Sequence, residues 1–275
     1  MGIRHSVLIY NHATESILHE IQLPEDCGRA FDLSHDGQLL ATGYWDRKGV
    51  DIWQIHDAKI VSTFGPAEVS RVVFDRTGSK LIVQSERGTR IFTTNPSHES
   101  VTISNAGDVE NGCFVKDTNQ YLMPSRRRGI LLKCDLTTPN VADVPIPISR
   151  TVHCIKHAPN RANLFVIDTA RTIWCFDSSF ETLLWKTTIK PIPVRSGICV
   201  GVYSGDGDLI GITISRFDGF DAVVLNARTG AELHRMENTP CDGFPFRDDS
   251  VLLESGKLLN LRSKCVSEGI SKNAE

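Results

Sequence analysis

The apolar positions of this chain come in short bursts and rarely at helical spacing. Residues 31–54, FDLSHDGQLLATGYWDRKGVDIWQ, show the pattern best. One alternating run ends at Asp36-Gly37, and a second run, QLLATG, follows. A charged loop, YWDRK, interrupts, and VDIW closes on Trp53. Alternation over a few residues, bounded by turn residues, predicts strands. The stretch therefore reads strand, turn, strand, loop, strand.

The pattern recurs. The turn after the first strand appears as HDG ending at Gly37, RTG at Gly78, DTN at Asn119, APN at Asn160, GDG at Gly207 and RDD at Asp249. Successive separations are 41, 41, 41, 47 and 42 residues. Gly and Asn tolerate the left-handed backbone that tight hairpin turns demand, which accounts for their recurrence. A second mark keeps step with the first. A bulky residue ends an apolar run before a polar one at Tyr10, Trp53, Phe92, Cys134, Phe176 and Leu225. A fixed internal period of this length signals a repeat architecture.

Each unit predicts four strands. In the first they fall at 29–34, 38–43, 49–55 and 60–64. The second runs VSRVVFD, KLIVQS, TRIFTT and SVTIS, and the third NGCFVK, QYLMP, GILLKCDL and VADVPI. The fourth runs TVHCIK, NLFVID, RTIWCFD and TLLWKTT, and the fifth GICVGVY, LIGITIS, DAVVLN and ELHRME. Residues 6–23 match only a third and fourth strand, and 244–255 only a first and second. Pairing the two ends in one blade closes a ring and removes exposed edges. The expectation is an all-β, six-bladed β-propeller of four-stranded antiparallel blades, closed by the N-terminal strands. It forms one domain over 1–265, with 266–275 as a flexible tail. KLLNLRS at 257–263 fits no place in this scheme and reads as a further third strand. A seventh blade lacks strands.

Composition adds limits. With 275 residues, 40% hydrophobic and 23% charged, the chain has apolar material for a sizeable core. A net charge of −3 gives no global field toward nucleic acid or anionic membrane. His12 and Glu15 arrive too early for a secretory leader, and no apolar run suggests a membrane span. None of the eight cysteines forms a CxxC pair, and Cys113, Cys154 and Cys175 sit inside apolar runs. Reduced thiols behave there as small hydrophobes, which favours a reducing cytoplasm over a disulfide framework.

The sequence resembles the WD-repeat and WD-repeat-like β-propellers. The resemblance rests on F-x-L-S-x-D-G-x-x-L-A-T-G at 31–43 and V-x-I-W at 50–53. ICVGVYSGDGDLIGIT at 198–213 and VVLNARTGAELHRM at 223–236 carry it again. No unit has the family's Gly-His before its first strand, and Gln54 follows Trp53 where the family has Asp. The buried hydrogen-bond tetrad of typical blades is therefore expected to be missing. Apolar sheet faces are expected to do more of the stabilising.

The resemblance implies a rigid platform for other proteins. In such a blade, the second-to-third and fourth-to-first loops share one rim. Eleven of the nineteen arginines sort there. Arg47, Arg87, Arg126, Arg127, Arg128, Arg171 and Arg216 fall in second-to-third loops. Arg29, Arg71, Arg150 and Arg195 fall in fourth-to-first loops or at the start of a first strand. The other rim has Arg76, Arg161 and Arg228. Guanidinium groups pair bidentately with carboxylates and are enriched at binding hot spots. Tyr44, Trp45 and Phe217 share these loops as aromatic anchors. The expected partner is another protein with an acidic surface. The bland alternative is a salt-bridged rim, neutralised by Asp26, Asp46, Glu68, Glu86, Asp168 and Asp218.

Signs of chemistry are thin. His153 and His157 in HCIKH lie about 13 Å apart on one strand face, too far to share a metal. GDGD at 205–208 is a turn before it is a calcium loop. GVYSG at 201–205 is not a nucleophile elbow. No P-loop or dinucleotide fingerprint occurs. Interspersed carboxylates weigh against nucleic acid. The expectation is a non-enzymatic binding propeller without metal, cofactor or catalytic residues. It would act as an adaptor or a stoichiometric inhibitor, such as an immunity protein that neutralises a bacterial toxin. The alternative is a propeller hydrolase or lactonase with a site at the channel mouth.

Overall fold

A computed structural model describes residues 5–267, apart from 12–15, 25–26, 46–48, 67, 95–99, 116–117, 139, 160–161, 190–198, 205, 216–219, 240–245, 248–249, 253–257 and 261–265. Strands β1 (His5–Asn11) and β2 (Ser16–Leu23) pair with each other. Six four-stranded antiparallel sheets follow. The first holds β3 (Cys27–Leu33), β4 (Leu39–Tyr44), β5 (Val50–Gln54) and β6 (Lys59–Phe64). The second holds β7 (Val69–Phe74), β8 (Lys80–Ser85), β9 (Gly88–Thr93) and β10 (Ser100–Ile103). The third holds β11 (Cys113–Phe114), β12 (Gln120–Pro124), β13 (Ile130–Asp135) and β14 (Asn140–Pro145). The fourth holds β15 (Val152–His157), β16 (Asn163–Asp168), β17 (Thr172–Asp177) and β18 (Leu183–Thr188). The fifth holds β19 (Cys199–Tyr203), β20 (Leu209–Ser215), β21 (Phe220–Asn226) and β22 (Glu232–Thr239). The sixth holds β23 (Phe246–Arg247), β24 (Ser250–Leu252), β25 (Leu258–Asn260) and β26 (Val266–Ser267).

The first five sheets match the sequence reading to within two residues at most strand ends. In the sixth, KLLNLRS supplies the third strand it reads as, in β25, so the C-terminal segment provides its own third strand. The fourth, β26, has no counterpart in the sequence reading, because two residues give too little alternation to reveal a strand.

The turn marks hold for a local reason. Gly37, Gly78 and Gly207 all have φ near +70°. Each closes its turn by donating its N–H to the carbonyl three residues back, at Ser34, Asp75 and Ser204. Asp206 and Gly207 lie in such a turn, with Asp206 accepting from the Ser204 hydroxyl and the Asp208 N–H. Asn119 does not share the left-handed backbone. Its side-chain amide instead donates to Asp75 at 3.1 Å. Asn160 and Asp249 lie outside the described residues.

The chain divides into two compact units, and the division runs through the third sheet. One unit comprises 1–110, 119–121 and 133–142; the other comprises 111–118, 122–132 and 143–275. In the first unit, β4 and β5 are buried on both faces. Leu40, Trp53 and Ile55 pack under Val7, Ile9, Ile21 and Leu23 of the N-terminal pair. Ala41, Val50 and Ile52 face the second sheet, meeting Val72, Leu81, Val83 and Phe92. Period-two alternation sends neighbouring residues to opposite faces, so a strand covered on both sides reads as nearly continuous apolar sequence. In the second unit, Phe165, Ile167 and Ile173 of the fourth sheet meet Ile210, Ile212 and Val223 of the fifth.

Hydrogen bonds spanning about one repeat join sheet to sheet. The Phe74 N–H donates to Asp32 across 42 residues, and Lys156 donates to the Gly112 carbonyl across 44. The Trp185 indole donates to the Ala227 carbonyl, again across 42. That indole lies on the turn before β22, where a Cβ on Gly230 would stand 2.4 Å from the ring. Gly230 also has φ +70°, so glycine is required there twice over.

The expected missing tetrad is partly replaced. In the first sheet the Trp53 indole donates to the Thr42 hydroxyl at 2.9 Å. Buried Asp51 accepts from the Tyr44 hydroxyl and, at 2.5 Å, from Thr63. In the fourth sheet the Trp174 indole donates to buried Asp168.

Among the described residues no helix is long and apolar enough to cross a membrane. Cys27, Cys113, Cys134, Cys154 and Cys175 are free thiols. Burial pushes the Cys134 thiol up to about 12 and Cys175 to about 11. Burial also lifts Cys113 to about 12, against the opposing pull of the Lys156 charge. A raised thiol pKa leaves little thiolate at pH 8, and the thiolate is the reactive species. Iodoacetamide at pH 8 is therefore expected to spare Cys113, Cys134 and Cys175 in native protein and label them after denaturation. Peptide mapping that finds them alkylated at the rate of a free thiol before unfolding contradicts these environments.

Candidate partner-binding loops

Hydrogen bonds within each unit place the loops by type. Second-to-third and fourth-to-first loops meet at one end of the sheets. In the second unit the Gly129 N–H donates to the Arg150 carbonyl, and Ile189 donates to Arg171. In the first, the Gln84 amide donates to the Gly107 carbonyl at 2.7 Å. The opposite end gathers the other two loop types. Ile55 donates to Gln38 and Thr94 to Ser79 in the first unit; Ala227 donates to Asp208 in the second.

Among the first unit's predicted contacts, Tyr44 and Trp45 part company. Tyr44 is fully buried, and its hydroxyl is committed to Asp51. Burial and the Asp51 carboxylate both push its ionisation well above the usual tyrosine range. Tyr44 is therefore a structural residue and drops out of the contact set. Trp45, its neighbour, is 54% exposed. Arg71 is partly buried, donates to the Ser70 carbonyl and lies 3.7 Å from Asp108. Arg87 is exposed on the tight turn between β8 and β9. Arg29 lies in β3 with its side chain outside the described set, and Arg47 lies outside the described residues.

In the second unit Arg126, Arg127 and Arg128 are all exposed. Arg127 pairs with Asp143, and its backbone N–H donates to Ser125. Arg150 is exposed, while Arg171 is half-buried with φ +62°. Arg195, Arg216 and Phe217 lie outside the described residues.

Of the acids in the neutralised-rim alternative, Asp26, Asp46 and Asp218 lie outside the described residues. Arg71 and Arg127 meet carboxylates, but Asp108 and Asp143 supply them, not the loop acids expected from the sequence. Asp168 is occupied by the N–H groups of Ala170 and Thr172 and by Trp174. Among the described residues, Arg87, Arg126, Arg128 and Arg150 make no ion pair.

The structure adds a feature that loop counting passed over. Gly65, Pro66, Arg87, Arg90 and Phe92 line a cleft of about 360 Å³ in the first unit. Arg90 is on β9, not in a loop. Its signal in the sequence was the alternation of TRIFTT, which puts Arg90 and Phe92 on one strand face. Elsewhere, inner-strand polar groups serve architecture. Asp32 and Lys156 are held in cross-sheet bonds, and His157 meets the Ala158 carbonyl. Among the described residues no group of three or more His, Cys, Asp or Glu is placed to hold a metal.

No family model matches the chain, and no curated protein does. Solved structures do. The β-propeller domain of Cps50 (Swd1) from Myceliophteria thermophila superposes with a TM-score of 0.65 at 13% identity, over 95% of this chain and 89% of that one. Hsv2 from Kluyveromyces lactis gives 0.60 at 15% identity, over 81% of this chain and 67% of that one. Dihydro-heme d1 dehydrogenase NirN, solved in complex with DHE, gives 0.66 at 11% identity, over 98% of this chain but only 62% of its own length. Identities this low establish the fold alone. Six four-stranded antiparallel sheets and these neighbours give the chain the fold of a β-propeller.

Proposed function

We propose that this propeller binds another protein through its second-to-third and fourth-to-first loops, without catalysing a reaction. One observation carries the reading. Arg87, Arg126, Arg128 and Arg150 are exposed on those loops without an ion-pair partner among the described residues, and Trp45 is exposed in a loop of the same class. Exposed guanidinium groups and exposed indoles are the residue types that binding hot spots favour. An acidic protein surface is the complementary partner. An assembly adaptor and a stoichiometric inhibitor, the immunity protein of a toxin included, use such a face alike.

The test is a complex of defined stoichiometry. Capture from the native host, followed by mass spectrometry and size-exclusion chromatography of the purified pair, is expected to give an equimolar complex. Changing Trp45, Arg126 and Arg128 together to alanine is expected to abolish it while leaving the circular dichroism spectrum unchanged. Arg127 is left intact because it already pairs with Asp143. A complex that survives the triple change removes these loops from the interface. Stoichiometric bound metal in purified protein would turn the reading toward an enzyme.

A further inference from the structure

The cleft in the first unit has a composition that narrows what it can hold. Arg87 and Arg90 bring two guanidinium groups to a space of about 360 Å³, and Phe92, Pro66 and Gly65 form the rest of the lining. The volume is at the small end for ligand pockets, room for one or two side chains. The lining is rigid. Arg90 sits in mid-strand, between Val83 on β8 and Thr102 on β10. Phe92 is buried, its ring centroid 5.4 Å from that of Phe64. The turn carrying Arg87 is tied by its own N–H, which donates to the Ser85 hydroxyl at 3.2 Å.

Among the described residues, the charges here stand uncompensated. Arg71 and Arg127 each have a carboxylate supplied by the chain. Neither Arg87 nor Arg90 has one among the described residues, although Glu86 is next in sequence. Neither cross-strand neighbour of Arg90 is acidic. Two forks that meet no carboxylate among the described residues suit an external anion. A half-apolar lining favours an anion that arrives attached to apolar surface. A phosphate dianion gains nothing from the Phe92 and Pro66 walls.

We propose that this cleft receives an acidic peptide segment of a partner protein, seating a glutamate or aspartate carboxylate between Arg87 and Arg90 and a neighbouring apolar side chain against Phe92 and Pro66. The inference rests on the binding reading above and names the chemistry of one contact. Arg90 becomes a contact residue although it lies in no loop.

Fluorescence anisotropy with a labelled octapeptide alternating glutamate and phenylalanine tests it, beside the same peptide with glutamine for glutamate. The glutamate peptide is expected to bind about tenfold more tightly than the glutamine one. Arg87→Ala and Arg90→Ala are each expected to weaken it by about tenfold, the scale of a lost charge-assisted hydrogen bond. Arg228→Ala, at the turn before β22 and paired with Asp208, is expected to leave it unchanged. All three arginines are exposed, and circular dichroism of the variants checks that they fold. Equal affinity for the glutamine peptide overturns the proposal. So does equal weakening by the Arg228 change, which reports only net charge. A phosphoserine peptide that binds much more tightly than the glutamate one overturns the carboxylate assignment. If the native partner complex persists in the Arg87→Ala, Arg90→Ala double variant, the cleft assignment fails and the binding reading stands. If the peptide binds as expected but the host yields no partner complex, the binding reading fails and the cleft chemistry stands.

Discussion

Replacing Asp51 with alanine is expected to destabilise the protein by about 3 kcal/mol, the scale for breaking a buried hydrogen-bonded carboxylate. For a chain of this size that is a drop of roughly 6–12 °C in melting temperature. Asp51 is buried in β5, opposite Thr42 on β4 and Thr63 on β6. Its carboxylate accepts from Thr63 and from the hydroxyl of fully buried Tyr44. Alanine removes the carboxylate that accepts from the buried Tyr44 hydroxyl. Asp51→Asn keeps an acceptor oxygen and is expected to lose less. Thermal unfolding followed by tryptophan fluorescence separates the three proteins, since Trp53 shares the face that holds Asp51. If the alanine variant melts with the parent, the network contributes nothing and apolar packing alone holds the first sheet.

A larger loss is expected from Phe165→Ala, about 3–5 kcal/mol for emptying a buried aromatic site. Phe165 is fully buried on β16, between sheets four and five, with its ring centroid 5.0 Å from that of Tyr203. A Cβ on Gly201 would lie 2.8 Å from this ring, so backbone and ring are already in contact. Backbone in contact on one side cannot collapse readily into the space, which favours the upper end of the range. Phe165→Leu refills most of the volume and is expected to cost about 1 kcal/mol. Urea unfolding of the three proteins gives the comparison through its midpoints. Similar losses for alanine and leucine contradict a cavity and point instead to a specific need for the ring.

Both residues show what the sequence made legible. Strand positions and the period were readable because turn chemistry and alternation act over a few residues. Gly37, Gly78 and Gly207 needed only their own backbone to mark the turns. Burial was less readable. Alternation along VDIW leaves Asp51 looking like a solvent-facing residue, but β5 is covered on both faces and Asp51 points into one of them. Tyr44 looked like loop because its strand runs to the edge of a charged segment, yet it is the last residue of β4 and fully buried. Trp45, one position on, emerges into solvent. The cleft was hidden for another reason. Arg90 meets Gly65 and Pro66 only when two sheets stand side by side, and no local pattern records that approach.

The bonds between sheets, spanning 42 to 44 residues, bear on how the protein is made. Each link needs only one further repeat of chain to close. A nascent polypeptide leaving the ribosome can therefore secure the second sheet to the first, the fourth to the segment before the third, and the fifth to the fourth as soon as that repeat emerges. By the time β6 is out, β1 and β2 already have Leu40, Trp53 and Ile55 to cover.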